Sequence, residues 1–236
     1  MTGDRPALLG RGPGGAVRAA ALLLPGGSID SRRPPLRIAD LGLLLPRLAL
    51  RDRGAPLGLA VHLLRYRYRG WNGGDGDTAA DTSWALGLLA ERYPQAPVVL
   101  VGNSLGGRAA VAAADHPAVT GVAGIAPWLP AAQRVEPLAG RPLLIVHGAA
   151  DRSEAPAADS LDFARRARAA GVVTARFLVP GAGHYLLRRG RDWSALVAAF
   201  TLAAAGLAPM PALIRRAADP GADLSMPLPS AGTLGS

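Results

Sequence analysis

The sequence contains no cysteine and no lysine, and each absence removes whole classes of chemistry. Without cysteine there is no disulfide framework, no thiolate nucleophile and no cysteine-ligated zinc or iron–sulfur site. All 26 basic residues are arginine, which excludes a phosphate-loop NTPase, a pyridoxal Schiff base and any other mechanism that needs a lysine amine. Because the chain has no cysteine, its cysteine content gives no information about the redox compartment.

Long apolar runs are also absent. The first apolar stretch, Ala19–Leu24, stops at Pro25, so it is short for the core of a signal peptide. No segment reaches the ~18 consecutive apolar residues that a membrane-spanning helix needs. We therefore expect a soluble, cytoplasmic protein with no membrane association.

The composition fits one globular domain with loose ends. Half of the 236 residues are hydrophobic and 18% are charged, so the chain can bury a sizeable core. The glycine-rich residues 1–15 predict a flexible N-terminal lead-in. Residues 207–236, rich in Pro, Ala and Gly, predict a largely disordered tail with one short helix near 212–218. The folded domain is expected to span residues 16–206.

The formal net charge of +9 raises the question of nucleic-acid binding. The arginines are scattered over several predicted elements, and no helix-turn-helix or RNA-binding signature accompanies them. We therefore expect no specific nucleic-acid partner. The sequence does not indicate an oligomeric state.

Short apolar runs alternate with longer amphipathic ones along the chain. Six strands are predicted at 17–24, 59–66, 97–101, 119–126, 143–147 and 172–179. Five helices are predicted at 38–50, 78–93, 105–115, 156–170 and 192–205. This alternation favours an α/β three-layer sandwich with a mostly parallel, doubly wound sheet of about six strands. Ligand sites in such folds lie beyond the carboxyl ends of the strands.

One motif with a chemical meaning follows the third predicted strand. Residues Gly102–Gly107 read G-N-S-L-G-G and precede a predicted helix, which is the strand–turn–helix setting of G-x-S-x-G. The glycines allow strand and helix to approach closely, so the tight turn exposes the hydroxyl of Ser104. The N–H of Leu105 then points to where an oxyanion would form.

An acid and a histidine follow later strands. Asp151 comes after the fifth predicted strand, in the element His147-Gly148-x-x-Asp151, and His184 comes after the sixth, in Gly181-x-Gly183-His184. The order Ser, acid, His resembles that of the α/β-hydrolase superfamily, and the resemblance covers roughly residues 16–206. His147 is interpreted as a supporting or turn residue.

The resemblance implies a function for each of these residues. Ser104 would be the nucleophile, His184 the general base and then acid, and Asp151 the group that orients the imidazole. The loop after the first strand would supply a second oxyanion N–H beside that of Leu105, from Gly27 or alternatively from Ser28. Two departures from the family pattern are Pro25 and Asn103, both at positions where relatives commonly have histidine.

Aromatic residues are scarce, with 4 Trp, 4 Tyr and 3 Phe, so their positions carry information. Trp71, Trp128 and Tyr185 each follow a predicted strand or adjoin His184. They either seal the top of the core or form the wall of a substrate pocket. No histidine pair has metal-site spacing, so we expect neither a metal nor another cofactor. The short segment between 126 and 143 predicts no lid.

Together these features predict a small, lidless serine hydrolase that cleaves a carboxylic ester or related acyl compound through an acyl-serine intermediate. A thioesterase or acyltransferase with the same triad is an alternative that the sequence does not separate from it. A second alternative, from another class, is a non-catalytic protein that keeps the hydrolase-like fold to bind a ligand. The substrate expected in each case is a small molecule, and its acyl chain stays open.

Overall fold

A seven-stranded sheet forms the centre of the computed structural model, which describes residues 5–74 and 76–229. Its order is β1-β3-β2-β4-β5-β6-β7, with β2 to β7 parallel and β1 antiparallel to β3. The strands are β1 (Ala7–Arg11), β2 (Ala19–Leu24), β3 (Leu59–Arg65), β4 (Val98–Asn103), β5 (Val119–Ile125), β6 (Leu143–Gly148) and β7 (Thr174–Val179).

Helices cover both faces of this sheet. They are α1 (Leu44–Gly54), α2 (Asp77–Arg92), α3 (Leu105–Ala112), α4 (Ala157–Ala169), α5 (Gly190–Ala204) and α6 (Ala212–Ala218). Buried side chains of α1, α5 and α6 form one core against the sheet, and those of α2, α3 and α4 form a second core against its other face. The predicted three-layer α/β fold with a mostly parallel sheet is confirmed, with seven strands in place of about six.

The additional strand lies in the predicted lead-in, which needs correction. β1 pairs with β3, with Leu9 opposite Leu63, and so covers an edge of the sheet. Gly10 has a φ of +116°, and a Cβ there would clash with the Val61 carbonyl oxygen. The glycines that suggest disorder in this segment thus include one that the close pairing of β1 and β3 requires.

The first predicted helix begins later than its pattern suggests. Residues Arg37–Leu43 form 3₁₀ turns, and the α-helix begins at Leu44. Pro46 explains the difference, because proline has no N–H to donate and its ring clashes with the preceding turn of an α-helix. It is tolerated within the first turn, where N–H groups have no helical partner. The helix therefore begins just before Pro46.

The C-terminal tail is also more ordered than predicted. After α6, an extended segment runs beside β7: the Leu178 N–H donates to the Met226 carbonyl, and the Leu228 N–H donates to the Leu178 carbonyl. Leu224 and Leu228 are buried. The Pro, Ala and Gly content of this segment predicts disorder, but Leu224 and Leu228 join the apolar cores on the two faces of the sheet. Residues 230–236 of the predicted tail lie outside the described residues.

Three arginines hold this C-terminal segment through its backbone carbonyls. Arg176 on β7 is 1% exposed and donates to the Leu224 carbonyl at 2.7 Å, while Arg168 donates to the Ala222 carbonyl at 2.6 Å. Arg189 donates to the carbonyls of Leu228 and Pro229. Burial lowers the pKa of Arg176 to about 10, so it remains charged at neutral pH. A guanidinium offers five N–H donors and suits this task.

Buried His62 should make stability depend on pH. Burial, followed by the charge of Arg92, lowers the pKa of His62 to about 4, whereas an unfolded histidine has a pKa of about 6.5. The unfolded chain therefore binds more protons between these values, and stability should fall as the pH drops from about 6.5 towards 4. Urea unfolding across this range should show a shallower decline in His62→Leu than in wild type. An unchanged slope would contradict this explanation.

Candidate active site

Ser104 lies on a sharp turn between β4 and α3, in a backbone conformation that side chains rarely adopt. Its φ is 51° and its ψ is −116°. Such a residue costs about 1–3 kcal/mol and persists where its surroundings fix it. Here the Ser104 N–H donates to the Ile125 carbonyl at 3.0 Å, and the Trp128 N–H donates to the Ser104 carbonyl at 3.0 Å. The turn is thus held from β5 and from the loop that follows it.

Glycines make this turn sterically possible. A Cβ on Gly102 would clash with the Gly106 carbonyl, and a Cβ on Gly106 would clash with the Leu24 carbonyl at the end of β2. Strand, turn and helix therefore pack more closely than they could with a residue other than glycine at either position. The close packing brings the Ser104 hydroxyl to the carboxyl edge of the sheet.

The structure brings together the three residues that the sequence predicts as a triad. The Ser104 Oγ lies 3.0 Å from His184 Nε2, and His184 Nδ1 lies 2.8 Å from Asp151 Oδ2. An ionised carboxylate can only accept hydrogen bonds, so the His184 Nδ1 that faces Asp151 carries a proton. The other ring nitrogen, Nε2, is then free to accept a hydrogen bond from the Ser104 hydroxyl. This is the arrangement that activates a hydroxyl nucleophile.

Asp151 is buried, yet it has three N–H donors. His184 Nδ1 and His147 Nε2 both meet its Oδ2, at 2.8 and 3.0 Å, and the Ser153 N–H donates to its Oδ1 at 3.0 Å. Burial by itself raises the pKa of Asp151, but the hydrogen bonds from His147, Ser153 and His184 lower it well below the usual value. The carboxylate is therefore ionised at neutral pH and able to stabilise a protonated His184.

His147 contacts the Asp151 carboxylate from the buried end of β6. It is fully buried at the end of β6, and its Nε2 faces both Asp151 Oδ2 and the Ala155 carbonyl, at 3.0 and 3.1 Å. Both partners are acceptors, so Nε2 carries the hydrogen. His147 Nδ1 has no hydrogen-bond partner among the described residues. A second histidine thus fixes the Asp151 carboxylate. From the sequence, His147 could be either a supporting residue or a turn residue, and the structure shows the supporting contact.

The loop after β2 leaves one N–H free in the cavity that also holds Ser104. The Ser28 N–H donates to the Arg69 carbonyl at 2.7 Å, which removes it from the two candidates for an oxyanion donor. The Gly27 N–H has no acceptor among the described residues. A Cβ on Gly27 would clash with the Arg69 carbonyl and with the Leu105 side chain, so this loop lies directly against the start of α3. As the first helical residue, Leu105 has no helical acceptor for its own N–H.

A cavity of about 780 Å³ opens over these groups. Its walls include Gly27, Ser104, Leu105 and His184, together with Trp128 and Tyr185. The segment between β2 and α1 forms one side, through the exposed Ile29, Leu36 and Leu41. Sequence reasoning missed this wall, because the run of leucines around residues 36–48 reads as one helix whose apolar side faces the core.

Trp71 does not line this cavity, which corrects its predicted place in the pocket wall. Its ring packs on the guanidinium of Arg108, with 3.7 Å between the ring centre and the guanidinium carbon, and the ring centre of Trp128 lies 4.5 Å from the same carbon. Burial lowers the pKa of Arg108 to about 10, so the guanidinium stays charged at neutral pH in its contact with both rings. Trp71 therefore supports the cavity wall through Arg108 and Trp128.

Neither a metal site nor a membrane-spanning helix occurs among the residues that the structure describes. No group of three or more His, Asp or Glu side chains converges there as metal ligands would. None of the helices in this part of the chain combines the length and apolar character needed to cross a bilayer.

Comparisons with known proteins identify the fold. No protein-family model matches the chain, and no curated protein matches it. Among solved structures, an α/β serine hydrolase homologue from Coxiella burnetii is 17% identical with a TM-score of 0.61, covering 82% of this chain and 90% of its own. A serine hydrolase without a lid from Xanthomonas campestris is 17% identical with a TM-score of 0.59, covering 84% and 87%. The esterase PE8 is 19% identical with a TM-score of 0.63, covering 84% and 99%.

Proposed function

Because the chain has the α/β-hydrolase fold, we propose that it is a serine hydrolase of the carboxylesterase type, acting on a carboxylic ester or related small acyl compound. The observation that carries this proposal is the chain of hydrogen bonds from Ser104 Oγ through His184 to the buried Asp151. A protein that merely binds a ligand has no need of these three groups in this order. The solved structures of esterases and serine hydrolases with similar folds support the same reading.

In the first half of the reaction, His184 Nε2 takes the proton of the Ser104 hydroxyl as Oγ bonds to the carbonyl carbon. The electron pair of the carbonyl π bond moves to its oxygen, and the N–H groups of Gly27 and Leu105 stabilise that oxyanion. The tetrahedral intermediate then collapses, the bond to the leaving group breaks, and His184 gives its proton to the departing alcohol. Ser104 is left as an acyl ester.

The second half repeats these steps with water. His184 removes a proton from water as the water oxygen attacks the acyl carbon. The N–H groups of Gly27 and Leu105 stabilise the oxyanion of this second tetrahedral intermediate. Collapse releases the carboxylic acid and returns the proton to Ser104. Throughout, Asp151 stays ionised and stabilises the positive charge that His184 carries in each tetrahedral state.

Covalent labelling tests the proposal. Exposure to a serine-directed fluorophosphonate should add one adduct to the intact mass of the wild-type protein and none to Ser104→Ala. Labelling of His184→Ala should be slow, because the hydroxyl has lost its base. Ser28→Ala is the matched control, since Ser28 lies in the same cavity and its loss should leave labelling intact.

Two other results would contradict the proposal. An adduct that persists in Ser104→Ala would place the reactive group elsewhere. A folded wild-type protein that stays unlabelled while a control hydrolase reacts would favour a ligand-binding protein with an inert triad.

A panel of esters and thioesters, run on the labelled and unlabelled protein, then defines the leaving group.

A further inference from the structure

Exposed apolar side chains are concentrated around the mouth of the cavity. Ten large apolar side chains are exposed in the part of the chain that the structure describes. Five of them also line the cavity that holds Ser104, and these are Ile29, Leu36, Leu41, Tyr185 and Leu187. Tyr185 and Leu187 are 81% and 88% exposed. They project from the loop that carries His184.

Three more of the ten extend this surface along α1. Leu44, Leu45 and Leu48 are 47%, 41% and 53% exposed, and they occupy one helical face that begins at Leu41. The Leu45 side chain also approaches Gly190, at the end of the His184 loop. These three side chains and the five at the cavity mouth are called the mouth patch below. Two exposed apolar side chains, Trp84 and Val173, lie outside it.

A continuous apolar surface of this kind marks a site of association, because scattered single side chains are what an ordinary monomer surface shows. The charge around the mouth patch indicates the partner. Arg32, Arg33, Arg51, Arg53, Arg188 and Arg191 are exposed in the segments that carry the patch. The exposed acids in these segments are Asp30 and Asp52, and Glu154 is a further exposed acid in the wall of the cavity. With six exposed arginines against three acids, the surroundings carry a net positive charge.

We propose that the mouth patch docks the protein on an anionic lipid surface, with the cavity opening onto the lipid. Apolar side chains that enter the acyl boundary and arginines that meet anionic headgroups are the two contributions that hold peripheral proteins on membranes. A second copy of this chain is a poorer occupant, because it would bring a second basic rim against the first in a molecule of net charge +9.

The position of the patch also assigns a substrate class, an assignment that rests on the proposed function. Five of its eight side chains form the walls through which an acyl ester reaches Ser104. The substrate is therefore a lipid ester taken from the surface rather than a freely dissolved one. This proposal departs from the sequence-based expectation of no membrane association, which was argued from the lack of a segment long enough to span a bilayer.

Co-sedimentation with lipid vesicles tests the docking. The probes are vesicles of phosphatidylcholine alone and of phosphatidylcholine mixed with phosphatidylglycerol. Wild-type protein should partition strongly onto the mixed vesicles and weakly onto phosphatidylcholine. The double variant Leu44→Ser/Leu48→Ser should lower the partition coefficient by at least about tenfold, because two leucine side chains lose their place in the lipid.

Matched variants separate this result from misfolding and from catalysis. Val173→Ser removes an exposed apolar side chain far from the patch in sequence and should bind vesicles as wild type does. Ser104→Ala should also bind normally, so docking is measured even if the proposed function fails. The double variant should hydrolyse a short, soluble ester at the wild-type rate, since Leu44 and Leu48 do not line the cavity.

Three outcomes would overturn the docking proposal. Equal partitioning of the double variant and wild type would show that the patch is not the contact. Equal binding to both kinds of vesicle would remove the anionic requirement. Analytical ultracentrifugation that finds a wild-type dimer, dissociated by the double substitution, would make the patch an interface between copies of this chain.

Discussion

Asp151→Asn is expected to lower kcat by about 10⁴-fold, the loss typical of a triad whose acid becomes an amide. The cause is the set of donors around the carboxylate. His184 and His147 both direct N–H groups to Oδ2, and the Ser153 N–H points to Oδ1. An amide has one acceptor oxygen and one NH₂ group. In either orientation, at least one of these N–H groups faces another donor.

The consequence for His184 follows from that mismatch. If the amide nitrogen faces His184 Nδ1, the proton moves to Nε2, and the imidazole can no longer accept the proton of Ser104. KM should change little, because Asp151 is buried beneath His184 and does not line the cavity. Steady-state kinetics on a soluble ester measure both constants.

Asp162→Asn is the matched control for this substitution. Asp162 is a nearby acid in α4, its side chain is 70% exposed, and it pairs with Arg165 on the surface. Its replacement should leave kcat unchanged within about twofold, as expected for a surface ion pair. If Asp151→Asn kept more than about a tenth of the wild-type kcat while Asp162→Asn lost activity, the acid of the triad would be misassigned.

Gly106→Ala is expected to lower the free energy of unfolding by several kcal/mol, a large part of the ~5–15 kcal/mol that holds a domain together. The added methyl would collide with the carbonyl oxygens of Leu24 and Pro25. Both are backbone atoms at the end of β2, so no flexible side chain can move aside. The start of α3 must shift away from the sheet, and the Leu105 N–H shifts with it.

Gly87→Ala provides the comparison for Gly106→Ala. Gly87 lies in the middle of α2, and a Cβ there would meet no atom within 4 Å. Alanine is the better helix former, so this variant should gain about 0.5–1 kcal/mol. Urea titrations followed by circular dichroism measure both midpoints. A Gly106→Ala protein that unfolds at the wild-type midpoint would show that the turn tolerates a larger residue.

The sequence predicts the sheet because its strands are short apolar runs without polar alternation, such as Val98-Val99-Leu100-Val101, and such runs are typical of strands buried on both faces. Ser104, Asp151 and His184 each follow one of these runs. Because parallel strands end at the same edge, local signals suffice to predict that the three residues lie together. The structure places them within hydrogen-bonding distance of one another.

Other features depend on contacts that no local pattern encodes. The acceptor that engages the Ser28 N–H, and so favours Gly27 as the oxyanion donor, is the Arg69 carbonyl in the connection after β3. Trp71 follows a strand like the other candidates, but Arg108 draws it away from the cavity wall. The C-terminal segment has weak propensities of its own and is held by arginines of β7, α4 and the His184 loop. Long-range packing determines each of these.

The arginines that hold the C-terminal segment also change what the isoelectric point of about 11.3 means. The guanidinium of Arg176 is enclosed by three protein oxygens, from Ser160, Leu224 and Ala157. It contributes to migration in an electric field, but no anionic ligand or ion-exchange resin can contact it. Arg168 and Arg189 are likewise engaged with backbone carbonyls. Part of the positive charge of this protein therefore serves to hold its own backbone in place. Retention on a cation-exchange column will reflect the remaining exposed arginines.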